Sequence, residues 1–292
     1  MNGFSGYALR QFELDIAPLD LGQTLGCGQT FRWRCQQDGS WIGILSNQVV
    51  ELKEEDGLLR ARADPGNGDI RREVCRYLRA SDNVSEIQRI LRKDKVIAPG
   101  IRKMRGLRIV KIDEWECLAS YVLATYANIP RISKMIESIA REYGTKIREE
   151  SYAFPSPHEL GRASVKALAG CGLGYRTAYL NSLCREIDEQ RLDELKKLGY
   201  EELREELIQL PGVGDKVADC VCLFGFGKLE SFPIDVWIER ALSRLYKQNG
   251  TYRSLREFAK DRFGKYAGYA QEYLYYNERT FASEGACMFT RT

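Results

Sequence analysis

The spacing of the apolar residues changes part-way along this chain of 292 residues, and that change limits the fold more than any other feature. Up to about residue 110, short segments such as FELDIAPLDL, TFRWRC, WIGILSN, QVVELKE and LLRARAD recur, several of them alternating apolar with polar side chains. Turn-forming clusters, QQDGS, SNQ, EEDG and DPGNG, separate them. A period of two sends successive side chains to opposite faces, so these segments predict an antiparallel sheet joined by hairpins. Helices are expected over 69–78 and 84–92. Beyond KMRGLRIVKID the apolar residues recur at three and four, in WECLASYVLATY, IPRISKMIESIAREYG, SPHELGRASVKALAG, YRTAYLNSLCREIDEQ, YEELREELIQL, DKVADCVCLFGFG, DVWIERALSRLY, SLREFAKDRFG and YAGYAQEYLYYNERTFA. Those spacings predict amphipathic helices, with glycine and proline at their ends. The expected fold class is α+β: an N-terminal antiparallel β-sheet domain over 1–110, then an all-α domain over 111–292.

Bulk charge decides little. Forty-four Lys and Arg against 41 Asp and Glu leave a formal charge of +3, which excludes a histone-like polycation but not a local basic patch. No run of eighteen apolar residues exists to span a membrane, and the N-terminus has no basic start followed by an apolar stretch, so a cytoplasmic location is expected. The nine cysteines are scattered, none forms C-x-x-C, and His158 is the only histidine. This pattern argues for free thiols in a reducing compartment and against a metal site or a histidine base; no metal and no cofactor are expected.

Chemistry concentrates in EELIQLPGVGDKVADCVCLFGFGKLESFPIDVWIERAL. A helix ends at Gln209–Leu210, turns through Pro211-Gly212-Val213-Gly214 and restarts at Asp215. Gly212 and Gly214 let the backbone approach a partner, Val213 can plug the gap between the helices, and the N–H groups at the restart suit a phosphate. The plain alternative is a tight connection that happens to use glycine. Lys216 falls in the first turn of the second helix, where a cation opposes the helix dipole; such a broken rule suggests function, and the position should help supply the neutral amine needed for attack. Taken alone, it would be a solvated surface lysine. Asp235 reads as a helix N-cap, and a rigidly held carboxylate there could also stabilise a cationic sugar.

LPGVGDKVADCVCLFGFGK and PIDVWIERAL resemble the helix-hairpin-helix, Gly/Pro-rich loop and aspartate signature of the HhH-GPD superfamily of DNA glycosylases. Within it, the likeness is to the 8-oxoguanine DNA glycosylase/AP lyases of eukaryotic type. GCGQTFRWR, ECLASYVLATYANIPRI, LGYRTAYL and YAGYAQEYLYY match in order, so the likeness covers roughly residues 8 to 280. It implies a monomer acting on double-stranded DNA that contains 8-oxoguanine opposite cytosine, at the nucleoid if the cell is prokaryotic. Lys216 would attack C1′, expel the base and form a Schiff base whose β-elimination nicks the strand; Asp235 would stabilise the sugar cation and help position the lysine. Gly28 matches the glycine whose carbonyl reads the N7–H of the lesion. Gln271 matches the glutamine that reads the base edge, Tyr275 stands where a stacking Phe is usual, and Cys220 would form the opposite wall. Gln271, Tyr275 and Glu278 are spaced to share one helix face.

On the complementary strand, the resemblance assigns Arg131 and Arg176 to the orphaned cytosine and Tyr175 to the wedge. Two departures stand out: Tyr126 occupies the position of the usual gap-filling asparagine, leaving Asn128 of the asparagine run, and Trp237 replaces a histidine. The first bears on opposite-base preference, the second on local phosphate or pocket contacts. The iron–sulfur cluster of a related branch needs four closely spaced cysteines near the C-terminus, where this chain has Cys287. Two other readings stay open at this stage: the same mechanism on another oxidised or alkylated base, and a non-catalytic helix-hairpin-helix DNA-binding module.

Overall fold

The computed structural model describes residues 9–289 apart from 67, with side chains as far as 279. Its N-terminal part contains five strands, β1 (Arg10–Leu14), β2 (Arg34–Cys35), β3 (Trp41–Leu45), β4 (Gln48–Glu55) and β5 (Leu58–Ala63). They form one antiparallel sheet in the order β1-β5-β4-β3-β2. Both two-residue hairpins use paired left-handed residues: Ser46 and Asn47 at φ 47 and 58, Asp56 and Gly57 at φ 53 and 79. Such turns match the right-handed twist of the strands they join. Alternation then sorts the faces. Leu59, Ala61 and Ala63 of β5 and Val50 and Leu52 of β4 are buried, while Arg60 and Arg62 pair outward with Glu13 and Glu51 at 2.9 and 3.0 Å. TFRWRC contributes only the two residues of β2, because the residues before it are held by buried hydrogen bonds of Gln29 rather than by a ladder.

The expected helices over 69–78 and 84–92 are Ile70–Tyr77 and Val84–Leu91, capped by Asp69 and Asn83. In the helical half, Asp113 caps the buried Glu114–Leu123 helix and Asn128 caps Ile129–Tyr143. SPHELGRASVKALAG breaks into Pro157–Gly161 and Val165–Ala169, since Ser164 caps a new helix within the segment. A two-stranded ribbon, Lys146–Arg148 with Ser151–Tyr152, lies among these helices. Arg108, 2% exposed, binds the end of the N-terminal part to its beginning by donating to the carbonyls of Ile16, Pro18 and Arg79 at 2.7, 3.2 and 2.8 Å. One hydrophobic core runs from Leu14 in the sheet to Leu274 near the C-terminus.

The helices that begin with the signature are short. Asp215–Cys220 and Val236–Ala241 each pass into a wider π turn, Val221–Gly225 and Leu242–Tyr246, a form frequent near functional sites. Asp219, wholly buried, fixes the first of them. It accepts the hydroxyls of Tyr200 and Tyr252 at 2.6 Å each and of Ser231 at 3.2 Å, and pairs with Arg204 at 3.3 Å. Burial pushes its carboxyl up, and those hydrogen bonds and the guanidinium pull it down.

Candidate active site

Between the Tyr200–Ile208 and Asp215–Cys220 helices the chain turns on Gly212 at φ 80. A Cβ there would meet the Tyr179 ring at 2.7 Å, so conformation and close approach both demand glycine. Val213 is buried, as a plug between helices requires. Gly212 and Gly214 line a cleft of about 760 Å³, together with Lys216 one turn further on. Asp235 lines the same cleft from the start of the next helix. Its Oδ1 accepts the N–H groups of Trp237 and Ile238, each at 3.0 Å, so the expected cap is real. Two helix starts thus present an amine and a carboxylate to one space. The Lys216 ammonium lies 5.4 Å from the centre of the Tyr121 ring.

Tyr121 joins this pair to the wall formed by Gly28. Its ring stacks on Phe224 at 5.6 Å, and its hydroxyl donates to the Gln29 carbonyl at 3.1 Å. Burial pushes that phenol well up, which keeps it a donor. The Gln29 amide donates to the carbonyls of Thr24 and Arg108 at 2.7 and 2.8 Å and accepts Val110 N–H at 3.0 Å. Gly28, at φ 108, lines the cleft, and a Cβ on it would lie 2.8 Å from Ile129 Cδ1. Beside it Cys27 is buried, and its carbonyl accepts Arg279 Nη1 at 3.3 Å. Burial and then the neighbouring Glu272 push the Cys27 thiol well up. Glu272, 4% exposed, is itself pushed up to about 7 by burial, with Cys27 hydrogen-bonded to it and Asp235 repelling it.

Tyr275 lines the cleft as expected, but two of its assigned companions do not. Cys220, expected as the opposite wall, is 3% exposed, and burial pushes its thiol up to about 12. Gln271 is 5% exposed and absent from the cleft lining, yet its amide oxygen has no hydrogen-bond partner among the described residues. Glu278 turns aside to pair with Arg244 at 2.6 Å.

The opposite rim carries the other candidates. Tyr126 stands 94% exposed and lines both the cleft and an adjoining recess of about 540 Å³, which Tyr175 and Tyr179 share. Asn128 lines the cleft, with its oxygen committed to Arg131 N–H at 3.0 Å as the helix cap; the Arg131 side chain is exposed. Arg176, expected at the orphaned cytosine, lies inside the turn in the DNA-free chain. It is 2% exposed, its guanidinium donates to the carbonyls of Thr125 and Leu173, and it lies 4.5 Å from the Tyr175 ring centre. Carbonyl acceptors inside the turn outcompete solvent for its donors. Trp237 lines the cleft and carries Arg240 at 5.2 Å from its ring.

Tyr121, Gln29, Glu272 and Arg279 were not singled out from the sequence. Tyr121 and Glu272 sit in apolar helical stretches, WECLASYVLATY and YAGYAQEYLYY, where the tyrosine reads as core; the charge of Glu272 on such a stretch was the available signal. Among the described residues no three His, Cys, Asp or Glu side chains gather as a metal site needs; the Cys287 side chain lies outside them.

The model of the 8-oxoguanine DNA glycosylase N-terminal domain matches residues 11–118, and that of the HhH-GPD superfamily of base excision DNA repair proteins matches 119–265. A probable N-glycosylase/DNA lyase of Methanothermobacter thermautotrophicus is 32% identical, covering 91% of this chain and 95% of its own length. A solved structure of MBOgg1 in complex with a low-affinity DNA ligand is 34% identical, covers 94% of this chain and 99% of that one, and gives a TM-score of 0.87. The 8-oxoguanine glycosylase/lyase of Clostridium acetobutylicum, solved with DNA containing cytosine opposite 8-oxoguanine, gives 0.86 at 28% identity, covering 94% of this chain and 98% of that one. The chain belongs to the HhH-GPD superfamily of base excision DNA repair proteins, in its 8-oxoguanine DNA glycosylase branch.

Proposed function

We propose that the protein is a bifunctional DNA glycosylase/β-lyase that removes 8-oxoguanine, opposite cytosine, from duplex DNA. The observation that carries this reading is the convergence of Lys216, Asp235 and Gly28 on one cleft. To reach C1′ the enzyme must take the nucleotide out of the stack, and the cleft is large enough to receive it. The deprotonated Lys216 amine attacks C1′, the N-glycosidic bond breaks, and its electrons leave with the base, which takes a proton. Positive charge that builds on the sugar faces the Asp235 carboxylate, which its helix cap holds in place. Opening of the sugar gives the lysine Schiff base. Loss of a C2′ proton then expels the 3′ oxygen with its phosphate, and water frees Lys216.

Recognition follows from the Gly28 wall. 8-Oxoguanine carries an N7–H where guanine has an N7 acceptor, so a fixed backbone carbonyl favours the lesion. The bonds of Gln29 and Tyr121 supply the rigidity that such a carbonyl needs. The unpaired oxygen of Gln271 suits an N–H on the base edge once the base is seated. No helix among the described residues is long and apolar enough to cross a membrane, and in a prokaryotic cell this substrate places the protein in the cytoplasm at the nucleoid.

Borohydride trapping on an 8-oxoguanine duplex tests the reading. A covalent adduct is expected with the wild type and none with Lys216→Gln. An undiminished adduct in that variant would remove Lys216 from the chemistry.

A further inference from the structure

We propose that Arg279 reads the oxygen that 8-oxoguanine carries on C8, as a second lesion-specific contact beside the Gly28 carbonyl. The inference rests on the glycosylase reading of the cleft and adds a specificity-determining residue to it.

Arg279 lines the cleft from the helix Ala267–Phe289, and its side chain is exposed. Among the described residues on that lining, it and Lys216 are the two cations, and Lys216 has to shed its charge to attack. A guanidinium keeps its charge and offers five N–H donors in a fixed fork. Here Nη1 donates to the Cys27 carbonyl at 3.3 Å, and no carboxylate among the described residues pairs with the group. The same Nη1 lies 3.8 Å from where a Cβ on Gly28 would stand. The guanidinium is therefore held against the base wall with donors left for a ligand.

Its place along the helix selects the end of the base that it meets. Gln271, Tyr275 and Arg279 follow one another at four-residue steps, so their side chains succeed each other along one side of the helix. Eight residues advance about 12 Å, enough to span a purine from end to end. With Gln271 at the Watson–Crick edge and Tyr275 on the ring face, Arg279 falls at the five-membered ring, the end that carries C8. Burial pushes the Tyr275 phenol up to about 12 against the pull of the Arg279 charge, so the two side chains are neighbours in space. 8-Oxoguanine presents O6, N7–H and O8 along this edge, a donor between two acceptors. The Gly28 carbonyl takes the donor, and a guanidinium beside it takes O8. Guanine has C8–H in place of that oxygen, so the charged hydrogen bond forms with the lesion alone.

Binding to two duplexes tests this in the full chain, comparing wild type with Arg279→Met, which keeps an apolar stem and a good helix former. One duplex carries 2′-fluoro-8-oxoguanine, whose fluorine slows excision. The other carries 9-deazaguanine, which a C–C bond holds to the sugar and which keeps O6 and N7–H but has hydrogen at C8. Arg279→Met should weaken binding to the first about tenfold or more and to the second by less than about threefold. Single-turnover excision of 8-oxoguanine opposite cytosine should fall about tenfold with it. Trapping at a preformed abasic site, which has the phosphates but no base, should change by less than about threefold. Equal losses on the two binding duplexes overturn the proposal, by assigning Arg279 to a phosphate or to bracing the wall through Cys27. Unchanged binding to both overturns it as well. Wild type that leaves 8-oxoguanine in place overturns the glycosylase reading, and the role of Arg279 with it.

Discussion

Asparagine caps a helix about as well as aspartate does, which allows one substitution to separate the two roles of Asp235. The cap consists of two hydrogen bonds to a single oxygen, and an amide oxygen can accept both. Asp235→Asn should therefore melt within about 2 °C of wild type, while excision falls about 10²–10³-fold with the loss of the carboxylate charge. Asp235→Ala should lose the same activity and about 1 kcal/mol of stability besides. Thermal melts beside single-turnover kinetics check this, and full activity in Asp235→Asn would leave the residue a cap only. Gly28→Ala probes the base wall in the same way. With φ at 108 and Ile129 2.8 Å from the new Cβ, the wall must shift, so lesion excision should fall about tenfold or more while trapping at a preformed abasic site persists. Lys216 and Asp235 were legible because each lies at a fixed offset from a helix start marked by glycine or proline. Tyr121 was not, because its partner Gln29 is 92 residues away. The bond of Arg176 to the Thr125 carbonyl was not legible for the same reason, since 51 residues separate them.

The hairpin shows what an element adds to its residues. Its two glycines are alike in sequence and unlike in structure. Gly212 is left-handed with the Tyr179 ring 2.7 Å from any Cβ, whereas Gly214 lies at φ -97 with open space around it. Gly212→Ala should cost about 1–2 kcal/mol and weaken binding to undamaged duplex, by straining the turn and displacing Tyr179. Gly214→Ala should fold with stability within about 0.5 kcal/mol of wild type. Urea titrations and fluorescence anisotropy check the pair; equal effects at both positions would contradict the geometry. Period-two alternation and the SNQ and EEDG turns made the sheet legible, because hairpin geometry is set by two adjacent residues. The ribbon at 146–152 escaped, since strands of three and two residues carry too little pattern to register a period. The π turns after Cys220 and Ala241 escaped too, because they depend on packing rather than on residue type.

At the scale of the molecule, buried Glu272 is tied to Cys27 and feels the charge of Asp235, and its protonation should be visible in stability. Its carboxyl is raised from 4.5 to about 7, chiefly by burial, against the lowering effect of the Cys27 hydrogen bond and with a further rise from the charge of Asp235. As pH rises from about 4.5 to 7, the unfolded chain gives up this proton while the folded chain keeps it. The folded state then binds more protons, so the contribution of Glu272 is fully present below the unfolded value and is lost as pH rises through the folded one. A shift of that size corresponds to about 3 kcal/mol. Glu272→Gln is isosteric and does not titrate. It should remove that part of the decline between pH 4.5 and 8, so wild type and variant should converge at acid pH and separate at alkaline pH in favour of the variant. Urea unfolding at several pH values, with slopes compared to ensure that the same surface is exposed, reads the difference. Parallel pH profiles for the two proteins would mean that Glu272 does not hold its proton in the fold. The link to function is spatial. The group that would lose this proton lies against Cys27, next to Gly28, and faces Asp235. An ionised Glu272 therefore adds a negative charge beside Cys27 and within the field of Asp235, and the same pH range should alter excision in wild type more than in the variant.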